Sequence, residues 1–387
     1  MKKTLAFLLS MVMVFSLSAC GGSGDKGKET AVNAAKGSVD ARDYPEIEWT
    51  PTESLSVGLE GEKAASLADF EFTDEELQRL KDGGFKVGIS YHQLGDQCNV
   101  VKCQAAKETL EELGIEVVSL TESKLSAEIQ INDIESALAL DPDALLVMPY
   151  DPDVVASTLR EAVDHGVKLV FMENCASGFT AGKDYTALVS SDGYGNGVAA
   201  AHLLAKDIGY KGKVAMVYYE ANYFITNERD RGFEETMKAV YPDIEIVKSP
   251  YTDENATGTN GDALMAQYPD LAGVYVSWEA PAEYIMDSAK AAGRNDLSIV
   301  TIDLGDTSAQ SIAAGDLITC SATSRSYEQG QCEAYAIAYA LLDKEVPSTY
   351  ITPVALPVDR DHLLEGYCES YGLDKAPDWL IKAYEKR

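Results

Sequence analysis

Pro142-Asp143-Ala144-Leu145-Leu146-Val147-Met148-Pro149-Tyr150-Asp151-Pro152 is a short apolar run that ends in an aromatic residue and an acid and then enters a helical pattern. Pro269-Asp270-Leu271-Ala272-Gly273-Val274-Tyr275-Val276-Ser277-Trp278-Glu279-Ala280-Pro281 repeats the arrangement. Each copy is followed by a helix, a glycine turn and a second apolar run with an acid at its end: Glu173, then Asn174, in the first and Asp303 in the second. Short, unbroken apolar runs alternating with amphipathic helices predict strands buried in a parallel sheet with helical crossovers.

The rhythm extends outward from both copies. The first half reads as strand 86–90, helix 100–113 stopped by Gly114, strand 116–120, helix 127–139, strand 144–148, helix 152–163 and strand 168–172. The pattern restarts with helix 193–206 and strand 213–218, followed by helix 227–240 and strand 244–248. Helix 258–267, strand 273–276, helix 281–292 and strands 297–302 and 318–322 continue it, and helix 327–342 and strand 350–358 close it. Ligands of open parallel sheets bind outside the carboxyl ends of the strands. Two such sheets facing each other would bring both sets of strand-end residues into one interdomain cleft, a favoured place for a small molecule.

The 387 residues suffice for two domains with separate cores. Lys and Arg total 32 against 63 acids, a formal charge of −31. That balance excludes nucleic acid as a partner and excludes docking on an anionic membrane through a basic patch. The seven cysteines form no CxxC pair, and no motif calls for a metal or other cofactor.

Lys2 and Lys3 precede an apolar stretch over 5–17 that is too short for a spanning helix and reads as a secretory signal. Leu17-Ser18-Ala19-Cys20 at its end resembles a bacterial lipobox, which implies removal of residues 1–19 and lipidation of Cys20. The alternative is an ordinary secretory peptide with an incidental cysteine. Residues 20–50 are small and polar without apolar periodicity and read as a flexible tether.

Val87-Gly-Ile-Ser90, the helix end Glu-Leu-Gly114, Asp141-Pro-Asp-Ala144, Val189-Ser-Ser-Asp192 with Gly197, Arg229-Asp-Arg-Gly-Phe233, Tyr268-Pro-Asp270, Ile302-Asp303 and Tyr327-Glu-Gln-Gly330 occur in this order. In order and spacing the stretch from Phe85 to about Val358 resembles the type 1 periplasmic sugar-binding proteins, the ribose-binding group of ABC-transporter receptors. The resemblance implies an α/β fold of two Rossmann-like lobes with parallel sheets, joined by a three-stranded hinge that closes on ligand. Lobe 1 would comprise 85–190 plus 325–349, and lobe 2 would comprise 191–323 plus 350–358. Residues 51–84 form an N-terminal extension and 359–387 a C-terminal tail; both the helix near residue 74 and the tail are expected to pack on lobe 1.

Residue by residue, the resemblance places the family's first-helix Asn at Asp96 and its two stacking Phe positions at Cys98 and Asn99. Its strand-end carboxylate falls at Glu173 and the neighbouring Arg at Asn174. Its helical Arg falls at Arg229, a hinge-side Asn at Trp278 beside Glu279, and its late Asp at Asp303. The late Gln falls near Ser324 or Arg325. Loss of both Phe and one Arg argues against ribose itself.

These residue types suit a sugar or polyol. Carboxylates accept two hydroxyls each, a guanidinium donates in a fixed plane, and aromatic faces cover C–H surfaces. Each also has a structural reading: Asp303 as a turn cap, Arg229 as a solvated helix residue paired with Glu228 or Asp230, and Trp278 as lobe packing. Tyr150 ends its strand as Trp278 does. Tyr223 and Phe224 stand in for the missing Phe pair or staple a helix capped by Asn227. His92 is expected at the surface or locally hydrogen-bonded. A bridge between Cys98 and Cys175 and free buried thiols are both open.

The function expected is that of an extracytoplasmic, lipid-anchored, monomeric receptor handing a sugar or polyol to an ABC permease. A sensory receptor of the same fold is the alternative, distinguished by its gene neighbours. A second alternative is a glycoside-processing enzyme with the acids of the Asp, Glu and Arg set as its catalytic carboxylates, which product analysis with glycosides distinguishes; no hydrolase elbow, P-loop or HExxH motif is present.

Overall fold

Runs such as Ala-Leu-Leu-Val at 144–147 carry no polar side chain and are buried on both faces, so they take central places in a sheet. A computed structural model describes residues 44–386 and contains two such sheets. The first half runs α1 (Asp74–Gly83), β1 (Lys86–Tyr91), α2 (Gln97–Glu112), β2 (Glu116–Glu122), α3 (Ala127–Leu138), β3 (Ala144–Val147), α4 (Ala156–Asp164), β4 (Lys168–Met172) and β5 (Ala187–Val189). The second half runs α5 (Gly193–Asp207), β6 (Gly212–Tyr219), α6 (Phe224–Val240), β7 (Ile244–Tyr251), α7 (Thr257–Gln267) and β8 (Leu271–Val276). It continues with α8 (Glu279–Ala291), β9 (Ser298–Ile302), α9 (Asp306–Ala314) and β10 (Ile318–Thr323). The chain then returns through α10 (Ser326–Leu341), β11 (Tyr350–Ile351), β12 (Leu356–Val358), α11 (Leu363–Tyr371) and α12 (Asp378–Glu385).

The sheet orders, β11-β5-β4-β3-β1-β2 and β12-β10-β9-β8-β6-β7, correspond position for position. All pairings are parallel except β10 with β12. Registers such as Ile89 opposite Leu146 and Val274 opposite Ile299 stack branched side chains into continuous cores. Helix starts follow local chemistry: Thr73 and Glu76 form a capping box on α1, and Asp96, Ser126 and Asp192 cap α2, α3 and α5. The fold is thus the expected pair of Rossmann-like lobes. The chain crosses between them near 190–192, 323–325 and 352–355.

Several local expectations change. The strand read over 350–358 is two strands in different sheets: β11 pairs with β5 in lobe 1 and β12 with β10 in lobe 2, and Pro353 lies in the break. Helix α6 begins at Phe224 with Tyr223 at its cap position, so Asn227 lies inside it. Helix α1 packs on lobe 1 through Leu77 and Leu80, but α12 packs on lobe 2 through Leu380 and the cluster around α9, because its apolar face matches that layer. Tyr44, Ile47 and Trp49, within the stretch read as a tether, pack on lobe 2. Cys20 and residues 1–43 lie outside the described residues. The six described cysteines, Cys98 and Cys175 among them, carry free thiols.

Candidate ligand-binding site

The two sheets end at a common seam, and the strand-end residues meet there. Glu173 follows β4 and Asp303 follows β9, equivalent places in the two sheets. Both adopt left-handed backbone, with φ of 57° and 70°. This costs non-glycine residues energy and recurs at functional positions.

Arg229 projects from α6 and is buried. Its Nη1 lies 3.6 Å from Asp303 Oδ2 and donates to the Ser277 carbonyl at 3.3 Å; Nη2 donates to Ser191 Oγ at 3.5 Å. Arg229 Nε and Asp303 Oδ1 are buried without a partner. So are Asn174 Nδ2, Gln329 Oε1 and His92 Nδ1. Buried polar atoms are nearly always paired, so donors and acceptors left open at one seam mark a place for a polar guest.

Glu173 differs. Lys102 Nζ donates to its Oε1 at 2.5 Å and Gln329 Nε2 at 2.9 Å. Ser190 Oγ, Ser191 N and Ser191 Oγ approach Oε2 at 2.8, 3.2 and 3.4 Å. A carboxylate offers about four lone-pair sites, and this one is fully engaged by α2, α10 and the first crossover. Burial opposes its charge, but Lys102 and Arg229 more than offset that and hold the carboxyl down at about 2. Burial likewise opposes the charge on Lys102, and Glu173 and Asp303 outweigh it, leaving the ammonium above its usual range.

The other expected residues divide by position. Asp96 faces Asp303 and Arg229 from the start of α2, where Asn99 N and Nδ2 both donate to it at 2.7 Å. Burial and the Asp303 charge lift it to about 6. Tyr223 of lobe 2 reaches lobe 1, its hydroxyl and His92 Nε2 sharing a hydrogen bond of 2.9 Å, with the Tyr150 ring 6.2 Å from His92. His92 is therefore an interlobe residue rather than a surface one, and burial takes it down to about 4, keeping it neutral.

Phe224 N donates to Asn174 Oδ1 at 3.5 Å, and its ring packs against the lobe 1 core near Tyr350. Trp278 stands edge-on to Tyr219 and Tyr251, and its Nε1 donates to Glu254. Glu279 turns away to accept from Ser308 N at 2.9 Å in the first turn of α9. The structure thus brings Asp303, Arg229, Glu173, Asn174, Asp96, Asn99, Tyr223, Phe224 and Tyr150 to one seam. Trp278 and Glu279 serve chiefly within lobe 2.

A model of the periplasmic binding protein domain matches residues 87–345. The chain belongs to this family. Its members are solute-binding proteins rather than enzymes. As a periplasmic binding protein it is 25% identical over 195 residues to a Rhizobium meliloti protein named for rhizopine binding, spanning 49% of this chain and 62% of that one. It is 24% identical over 232 residues to the D-apiose import binding protein of Actinobacillus succinogenes, covering 59% and 73%.

Among solved structures, a Mycobacterium smegmatis ABC transporter solute-binding protein with bound glycerol matches at TM-score 0.66 and 22% identity, over 73% of this chain and 96% of that one. An Agrobacterium vitis counterpart bound to α-D-tagatopyranose gives 0.66 and 21%, over 72% and 96%. These structural likenesses establish the fold.

Sequence reasoning about this binding protein missed Lys102 and Gln329. Gln329, one turn into α10, contacts Glu173, whereas Arg325 pairs with Glu369 and Ser324 accepts from Asn196 Nδ2. A signal for Lys102 existed: it lies four residues after Cys98, on the buried stripe of α2 that continues through Ala106 and Leu110.

Proposed function

We propose that this chain is an extracytoplasmic receptor, anchored through lipid on Cys20, that captures a neutral sugar or polyol between its lobes and presents it to an ABC permease. The observation that carries the reading is the unpaired Asp303 Oδ1 beside the unpaired Arg229 Nε, with Asn174 Nδ2 and Gln329 Oε1 open at the same seam. Together they offer an acidic acceptor, a charged donor and two amide groups, which suits several hydroxyls on one small ring or chain. Tyr150 and Tyr223 supply aromatic surface for its C–H face. Closure would make binding readable from outside, because only the closed lobes present a continuous surface to a permease. The sugar, polyol and apiose named for the relatives guide the choice of test ligands.

Calorimetric titration of the mature chain with pentoses, hexoses, apiose, glycerol and inositols tests the reading. Saturable one-to-one binding of at least one of them is expected. The absence of heat with every member would overturn it.

A further inference from the structure

Residues 44–72 precede the family-matched stretch, yet they touch lobe 2, the hinge and lobe 1 in turn. On lobe 2, Tyr44 stacks on Tyr210 with ring centroids 4.2 Å apart, and Trp49 stacks on His362 at 3.7 Å. At the hinge, Leu55 N donates to Asp192 Oδ2 at 3.1 Å, and Ser56 N and Oγ donate to Oδ1 at 2.9 and 2.7 Å. Tyr194 N donates back to Ser56 Oγ at 3.0 Å, and both Ser56 and Asp192 are nearly inaccessible, at 3% and 1% exposure. On lobe 1, Ala65 joins the edge of β11 and Phe70 and Phe72 stand edge-on to Tyr335 and Tyr339.

Asp192 belongs to the first crossover, caps α5 through Gly195 N at 3.0 Å, and takes Ala355 N of the third crossover at 3.5 Å. A single buried carboxylate therefore clasps two crossovers and the N-terminal segment.

We propose that residues 44–72 are a fourth interlobe connection, a strap clasped at Asp192 that restricts opening of the hinge. Opening rotates one lobe against the other about 190–192, 323–325 and 352–355. A segment anchored by aromatic stacks on lobe 2 and by a sheet edge on lobe 1 must then detach at one end or pull Leu55 and Ser56 off Asp192. The second route strips three donors from a buried carboxylate, which opposes the movement. The strap thereby biases the receptor toward closure whatever the solute.

The test is to sever the strap in the full-length mature protein without removing it. A protease site inserted between Glu60 and Gly61 suits this: Gly61 is at φ 87° with open space on its side-chain side, and both halves keep their anchors after cleavage. Hydrogen exchange is followed at the amides of Phe224 and Asp306, which donate across the lobes to Asn174 and Gln97. Ligand-free cleaved protein should exchange there about tenfold faster than uncleaved protein, with β1 and β6 unchanged. Equal rates before and after cleavage would overturn the proposal, as would acceleration that includes β1 and β6. Ser56→Ala, which leaves the chain continuous, should accelerate the same two amides about threefold; native rates there would overturn the role of the clasp.

Discussion

Glu173 and Asp303 are structural equivalents with opposite hydrogen-bond states. They end β4 and β9 in matching sheets and share the left-handed backbone, yet Glu173 receives hydrogen bonds from four residues while Asp303 keeps one oxygen unpaired. The two sheets thus put an acid at the same strand end, one satisfied by residues of α2, α10 and the first crossover and the other with an acceptor still open.

Asp303→Asn and Glu173→Gln should therefore separate binding from stability. Asn tolerates left-handed backbone and keeps an acceptor but leaves buried Arg229 without its nearest carboxylate, so Asp303→Asn should cost about 1–2 kcal/mol of stability and weaken solute binding roughly 10–100-fold, the loss of a charged hydrogen-bonding partner. Glu173→Gln strands the buried Lys102 ammonium and should cost about 3–5 kcal/mol. Denaturant unfolding and calorimetry on both variants measure the two effects.

Lys102→Met should be strongly destabilising alone, because Glu173 then loses its closest cation, at 2.5 Å. Combined with Glu173→Gln it should cost less than the sum of the two, with a coupling of about 1–3 kcal/mol in a double-mutant cycle. Additive losses would contradict a direct pair.

Stability should fall as pH rises toward 8. Burial lifts Glu333 to about 8, Glu279 and Asp230 to about 7 and Asp96 to about 6. The unfolded chain releases these protons at ordinary carboxylate pH, about 4, so above that the folded state binds more protons and loses stability with each step upward. Glu173, held at about 2, acts in reverse: its contribution is complete above its ordinary value of 4.5 and fades as pH drops toward 2. Thermal melts should give a maximum near pH 4–5, roughly. Glu333→Gln should flatten the fall up to pH 8, and a slope unchanged by that substitution would contradict the assignment.

Tyr223→Phe removes the hydroxyl that meets His92 across the seam. Solute should then dissociate about 3–10-fold faster at nearly unchanged association rate, since one interlobe hydrogen bond closes the mouth after entry. Stopped-flow dissociation measures it.

The sheet pair was legible because most of the apolar runs end in Pro, an aromatic residue or an acid, as at Pro149-Tyr150, Glu173, Trp278 and Asp303, and strand-end chemistry follows from that punctuation. Asp303 and Arg229 could be named from local pattern and resemblance. Lys102 shared the spacing of the buried stripe of α2 but was passed over, because a lysine on a helix is ordinarily solvated and its partner Glu173 lies 71 positions away. The role of Glu173 also depended on partners brought in by α10, whose Gln329 lies 156 positions away and gives no local signal of that contact. The path of 44–72 escaped because its aromatics pack singly, with no period to read, and the 350–358 run concealed a change of sheet behind continuous apolar composition.

The most direct test is a crystal structure of the mature protein grown with the tightest solute from the titrations. The account predicts a hydroxylated molecule enclosed between the lobes, within hydrogen-bond reach of Asp303 Oδ1 and Arg229 Nε and out of reach of Glu173. Solute bound elsewhere, or held by Glu173 with Asp303 unengaged, would contradict it.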